Sequence, residues 1–144
     1  YEFRLRDKDL VDILQKCGIP SKNKTFDLAF PDNIPNEGCG RLFIRGVIDG
    51  DGSINSKMGK ANKYIGGGVR ILTASKNFIL GLQKYILLIT KIQSKITMYN
   101  YPSIEFNTKE GLCLLKWVYE GFDTYKLNCK YAKYQRIIHD KDIV

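Results

Sequence analysis

The sequence predicts an α+β domain. From Leu42 onward the spacing of apolar positions changes in a regular order: helix, strand, strand, helix, strand, strand, helix. Hydrophobic residues make up 44% of the 144 residues, enough for one core and too many for a disordered chain.

The chain opens with a unit of its own. Tyr1-Glu2-Phe3-Arg4-Leu5-Arg6-Asp7 has the pattern of Ile104-Glu105-Phe106-Asn107-Thr108-Lys109-Glu110, a strand running into an acid and then an apolar helix. Leu10, Leu14 and Cys17 line the first helix as Leu112, Leu115 and Tyr119 line the second. Chance likeness of one short unit is the plain alternative. On the repeat reading, residues 1–35 are a partial first copy and a linker marked by Pro31 and Pro35, and residues 36–144 are the main domain.

The most informative stretch runs from Leu42 to Ile54, an apolar helix that stops in Asp49-Gly50-Asp51-Gly52 and turns into a strand. Gly46 and Gly50 lie four apart on one face, where another helix could approach closely. Asp51 stands at the helix C-terminus, where the dipole is already negative: a poor place for stability and a good one for holding a cation. Acid-glycine pairs also form turns and calcium loops. After Ser53 and Asn55, however, the next alternate position is Lys57 and no acid follows until Glu105, so a calcium loop fails. An ordinary helix end followed by a turn remains the alternative.

The first strand is expected over about 52–57, then a loop rich in Gly, Lys and Asn over 58–68 and a second strand over 69–73. Ser75 reads as the N-cap of a helix over 77–88 with Phe78, Ile79, Leu82, Tyr85, Ile86 and Ile89 on one broad apolar face. Two strands over 94–100 and 103–108, joined at Tyr101-Pro102, alternate so that Ile96, Met98, Ile104 and Phe106 face one way. A helix from Glu110 to about Tyr119 and a basic, tyrosine-rich tail complete the order. Tyr131 and Tyr134 are expected as core contacts of a last helix.

Lys and Arg number 23 against 15 acids, a formal charge of +8, which favours a polyanionic partner. Nucleic acid suits this better than a membrane: no apolar run is long enough to span a bilayer. A solvated basic surface without a partner is the bland alternative. Cys17, Cys39, Cys113 and Cys129 have no zinc-ligand spacing and read as reduced thiols of an intracellular protein, cytoplasmic or organellar. The charged, strand-like opening is not that of a secretory leader.

The Leu42 to Ile54 stretch resembles the signature helix of the LAGLIDADG homing endonucleases, whose last four letters stand here as Asp49-Gly50-Asp51-Gly52. The resemblance implies an α-β-β-α-β-β-α half-barrel with a saddle-shaped antiparallel sheet over double-stranded DNA. It also implies a twin helix packed on the Gly46 and Gly50 face, supplied by a homodimer mate or by a preceding region. Metal-dependent phosphodiester hydrolysis is the implied activity, with Mg²⁺ or another divalent cation held by Asp51 and the Gly50 carbonyl. Asp49 is expected to be structural. Lys109 falls where that family often carries a lysine near the scissile phosphate, and a solvated lysine near a helix start reads equally well. The tail has Cys129-Lys130 where family endings often hold an arginine-lysine pair, a departure.

On this reading DNA lies across the sheet. Ser53, Asn55 and Lys57 share a face of the first strand, and Asn55 suits a base edge while Lys57 suits a phosphate. Arg70, Lys95, Tyr99 and Asn107 are further candidates, with Lys60 and Lys63 reaching farther out from the first loop. The rival from another class is a non-catalytic nucleic-acid-binding module of the same fold, maturase-like or regulatory. A protein-interaction domain without nucleic acid conflicts with the charge.

Overall fold

The structure is a computed structural model that describes residues 7–16, 24–58, 64–121 and 125–141. Its helices are α1 (Lys8–Lys16), α2 (Lys24–Asp27), α3 (Glu37–Asp51), α4 (Lys76–Thr90), α5 (Thr108–Tyr119) and α6 (Asn128–Lys141). Its strands are β1 (Gly52–Met58), β2 (Tyr64–Leu72), β3 (Lys95–Thr97) and β4 (Ser103–Phe106). They form one four-stranded sheet in the order β1-β2-β4-β3, and every neighbouring pair is antiparallel. From α3 onward this is the expected α-β-β-α-β-β-α order.

Local chemistry sets where elements begin. The Asn36 side chain accepts from the Cys39 amide, so α3 starts five residues before the apolar run that advertised it. Ser75 caps α4 as expected, accepting from the Phe78 amide at 3.2 Å. The Asn107 side chain accepts from the amides of Lys109 and Glu110, which starts α5 at Thr108. The fourth strand is therefore shorter than expected, and Lys109 belongs to the first turn of a helix rather than to the end of a strand.

Two other boundaries moved. β2 begins at Tyr64, so the second half of the expected loop is strand. β3 ends at Thr97, because Asn100 turns the chain with φ of 55° and Pro102 has no amide to lend a ladder. Met98 and Tyr99 consequently lie beyond the strand, and both are exposed. In the N-terminal unit, α1 falls where the repeat reading puts a helix, while the strand expected before it lies outside the described residues.

The core lies between one sheet face and the helices. Ile54, Val69, Ile71, Ile104 and Phe106 point from the strands against Ile44 and Ile48 of α3, Ile79, Leu82 and Ile86 of α4, and Leu114, Leu115 and Val118 of α5. Arg45 is buried with them, 2% exposed, and its Nε donates to the Val118 carbonyl at 2.8 Å. From the segment before α3, Phe30 is inserted among Phe43, Phe78 and Tyr85, with ring centroids 5.3 to 5.9 Å apart.

Helix α5 reaches the sheet because two glycines meet. A Cβ on Gly68 would sit 2.1 Å from the Phe106 carbonyl oxygen, and one on Gly111 would sit 3.1 Å from the Gly68 Cα. Thr108 locks the junction, its hydroxyl donating to the Gly67 carbonyl at 2.8 Å and accepting from the Gly67 amide at 3.1 Å. Gly68→Ala drives a methyl group into backbone that cannot step aside. The expected cost is about 2 kcal/mol or more of unfolding free energy, read from urea denaturation.

Candidate nucleic-acid interface and acidic helix end

The last turn of α3 holds two acids and no basic residue. Their environments differ sharply. Asp49 accepts the Tyr119 hydroxyl at 2.5 Å and the Leu127 amide at 3.0 Å, which ties it to α5 and to the start of α6. Burial, and then the hydrogen bond to Asp49 and its charge, raise the Tyr119 hydroxyl far above the ordinary tyrosine range, so it stays a donor. Asp51 is exposed, and among the described residues it makes no hydrogen bond or ion pair. Lys130 of α6 donates to the carbonyl of Gly52, the next residue, and so supplies the cation this helix end lacks.

The outer face of α3 is open. A Cβ at Gly46 or Gly50 would meet nothing within 4 Å. Beside these glycines runs an apolar groove of about 730 Å³, walled by Leu28 and Ile34 before α3 and by Leu42, Gly46, Val47 and Asp51 on it. Phe43 and Val47 are less bare than a lone helix would leave them, since Phe30 packs its ring against Phe43 at 5.5 Å. Earlier on the same helix, Gly40 does admit a neighbour within the chain: an added Cβ there would strike the Tyr85 ring.

The sheet turns its other face outward. Register places Ser53 opposite Arg70, Arg70 opposite Glu105 and Glu105 opposite Lys95, so one row of polar side chains crosses all four strands. Asn55 lies beside it, opposite Gly68. Arg70 Nε is 2.9 Å from Glu105 Oε1, an ion pair with both side chains about two-fifths exposed. Its Nη2 donates to Ser103 Oγ at 3.4 Å. Asn55, Arg70, Lys95, Glu105 and Asn107 line one open groove of about 590 Å³.

Four of the expected contact residues therefore share a groove: Asn55, Arg70, Lys95 and Asn107. Asn107 has its side-chain oxygen engaged in the α5 cap, which leaves its NH₂ as the group it can offer. Lys57 follows Asn55 on β1, its backbone opposite Gly66. Lys60 and Lys63 lie outside the described residues. Tyr99, expected on the exposed face of a longer third strand, is instead in the bend after β3 and 80% exposed. Lys109 is exposed in the first turn of α5, between the groove-lining residues Thr108 and Glu110. Sequence reasoning passed over Lys130 and Tyr119 as partners of the acidic helix end. Periodicity carries no signal for either contact, since each spans 70 or more residues.

The sequence matches the family model of the LAGLIDADG-like domain over residues 39–141, from the first turn of α3 to the end of α6. That is well over half of the chain. The chain belongs to the LAGLIDADG family. No curated protein matches it. The match takes in the end of α3, whose last turn holds the locked Asp49 and the exposed Asp51. Among the described residues no helix is long and apolar enough to cross a membrane.

Asp51 with the Gly50 carbonyl makes an all-oxygen donor pair of the kind a hard divalent cation accepts with water in its remaining positions. Among the described residues no three acids, thiols or imidazoles converge. In donor chemistry these two oxygens are compatible with such a cation.

The two acids should separate in a stability measurement. Asp49→Ala strips a partner from the hydroxyl of buried Tyr119 and from the Leu127 amide, and should cost about 2–3 kcal/mol by urea denaturation. Asp51→Asn removes a charge that opposes the dipole, and its melting temperature should be unchanged or slightly higher.

Proposed function

We propose that this LAGLIDADG domain binds double-stranded DNA on the open sheet face and serves as a site-specific, metal-dependent DNA endonuclease of the homing type. The observation that carries this reading is the contrast at the end of α3. Of two acids in one helical turn, one is tied into the fold and the other is left exposed at a place where its charge costs stability. Lys109 is a second misfit of the same kind, a cation in the first turn of α5 where the dipole is positive. A charge kept against the dipole is explained by a ligand of opposite sign, a divalent cation for Asp51 and a phosphate for Lys109.

The roles follow from chemistry. Asn55 offers an amide to a base edge, Arg70 a guanidinium, and Lys57 and Lys95 neutralise phosphates. Asp51 and the Gly50 carbonyl would hold Mg²⁺, which when bound activates water and stabilises the leaving oxygen. Lys109 would hold the phosphate in place. Gly46 and Gly50 leave room for a second LAGLIDADG helix that brings its own acid beside Asp51. Its source is either a homodimer mate or a preceding region of a longer chain. A non-catalytic binding module of the same fold is the second reading, and the single free carboxylate at the described helix end is what favours it.

Duplex binding should weaken steeply between low and moderate salt through counterion release, and Arg70→Ala should weaken it further. A filter-binding titration without salt dependence would remove the sheet as a DNA platform. Mg²⁺-dependent nicking of a plasmid that carries a bound site should vanish in Asp51→Asn while duplex binding persists. Binding without nicking by wild type at any divalent cation concentration would leave the non-catalytic module standing.

A further inference from the structure

We propose that Glu105 is a specificity-determining positioning residue, holding Arg70 at the centre of the sheet so that its guanidinium reads a guanine. The inference rests on the DNA-binding reading of this face and adds a role for the acid within it.

An acid in the middle of a DNA-binding surface needs a reason, since it repels phosphate. Glu105 lies in register with cations on both sides, Arg70 on β2 and Lys95 on β3. It is not simply neutralised by solvent ions, because its Oε1 is 2.9 Å from Arg70 Nε. The contact is one of charge: Arg70 Nε has no aligned hydrogen-bond acceptor. Ser103 Oγ takes the neighbouring Nη2 at 3.4 Å, so the guanidinium is held along one edge by β4 and Nη1 is engaged by neither contact.

An unrestrained arginine is a flexible cation that favours any phosphate. Fixing one edge of its planar fork lowers the entropy lost when the remaining N–H groups meet two acceptors, and guanine O6 and N7 are the acceptor pair that suits it. Glu105 also offsets charge. The row Arg70–Glu105–Lys95 carries a net single positive charge instead of two, which weakens sequence-independent attraction at that spot. One side chain thus raises discrimination and lowers non-specific binding, two effects that a merely structural residue would not produce together.

The test uses the whole chain and a randomised duplex pool. Sequences bound by wild type are enriched, and affinities are then measured for single base-pair changes in the preferred duplex. Wild type is expected to prefer guanine at one position, and Arg70→Ala and Glu105→Gln each to lower that preference roughly tenfold. The double variant should lose no more than Arg70→Ala alone, because Glu105 acts through Arg70. Glu105→Gln should at the same time bind non-cognate duplex more tightly than wild type. It is nearly isosteric and its side chain is partly exposed, and an unchanged thermal melt establishes that it is folded.

If Glu105→Gln keeps wild-type discrimination where Arg70→Ala loses it, or if the two losses add in the double variant, the pairing is overturned and the DNA platform stands. If wild type shows no base preference, the pairing is also overturned. If wild type binds no duplex at any salt, the platform falls and takes the pairing with it.

Discussion

Asp49 accepts from the Tyr119 hydroxyl and the Leu127 amide, so one carboxylate in the last turn of α3 holds the end of α5 and the approach to α6. Helix ends are where backbone groups go unpaired, and a C-terminal end bearing two acids carries a concentrated negative potential. Two donors to Asp49 and the Lys130 ammonium on the Gly52 carbonyl balance most of it from within the fold. The charge of Asp51 is what remains. Holding the helix end this firmly also fixes β1, which leaves α3 with no intervening loop, and with β1 the whole sheet takes its place.

The same helix commits one side to the fold and leaves the other open. Ile44, Ile48 and the buried Arg45 commit the inner side to the core, where a guanidinium is tolerated because its Nε meets the Val118 carbonyl and its face lies 6.0 Å from the Tyr119 ring centroid. The outer side keeps Gly46 and Gly50 bare. Phe30 reaches back from the preceding segment to cover Phe43, and it closes only part of the apolar surface. The groove beside the glycines stays open among the described residues.

On the sheet, position depends on backbone contact more than on side chains. Gly68 and Gly111 let α5 sit directly against β2, and Thr108 fastens the contact through both backbone groups of Gly67. That seating puts the α5 cap, with Asn107 and Lys109, at the rim of the groove that Arg70 and Glu105 cross. A bulkier residue at Gly111 would lift the helix off β2 and carry those groups away from the sheet, and one at Gly68 would strike the Phe106 carbonyl where β4 leads into α5.

Much of this was legible in residue order. The period changes after Leu42 showed the α+β element order and the core parity of Ile96, Ile104 and Phe106, and Ser75 showed the α4 cap; Met98, of the same parity, is exposed because β3 ends before it. Asp-Gly-Asp-Gly at the end of an apolar helix showed where the acids would stand. These are local properties, set by side-chain spacing within one element. What tertiary structure decided is which side chain meets which across the chain. Only packing decides what holds Asp49, because its donors lie 70 and 78 residues away. Only strand register sets Glu105 between Arg70 and Lys95. Asn107 has a parity that suits a strand, yet its side chain accepts from the amides of Lys109 and Glu110, two and three residues on, and begins a helix that takes Lys109 with it. Capping and long-range pairing are competitions between partners, and the alternation of apolar residues records only one of the competitors.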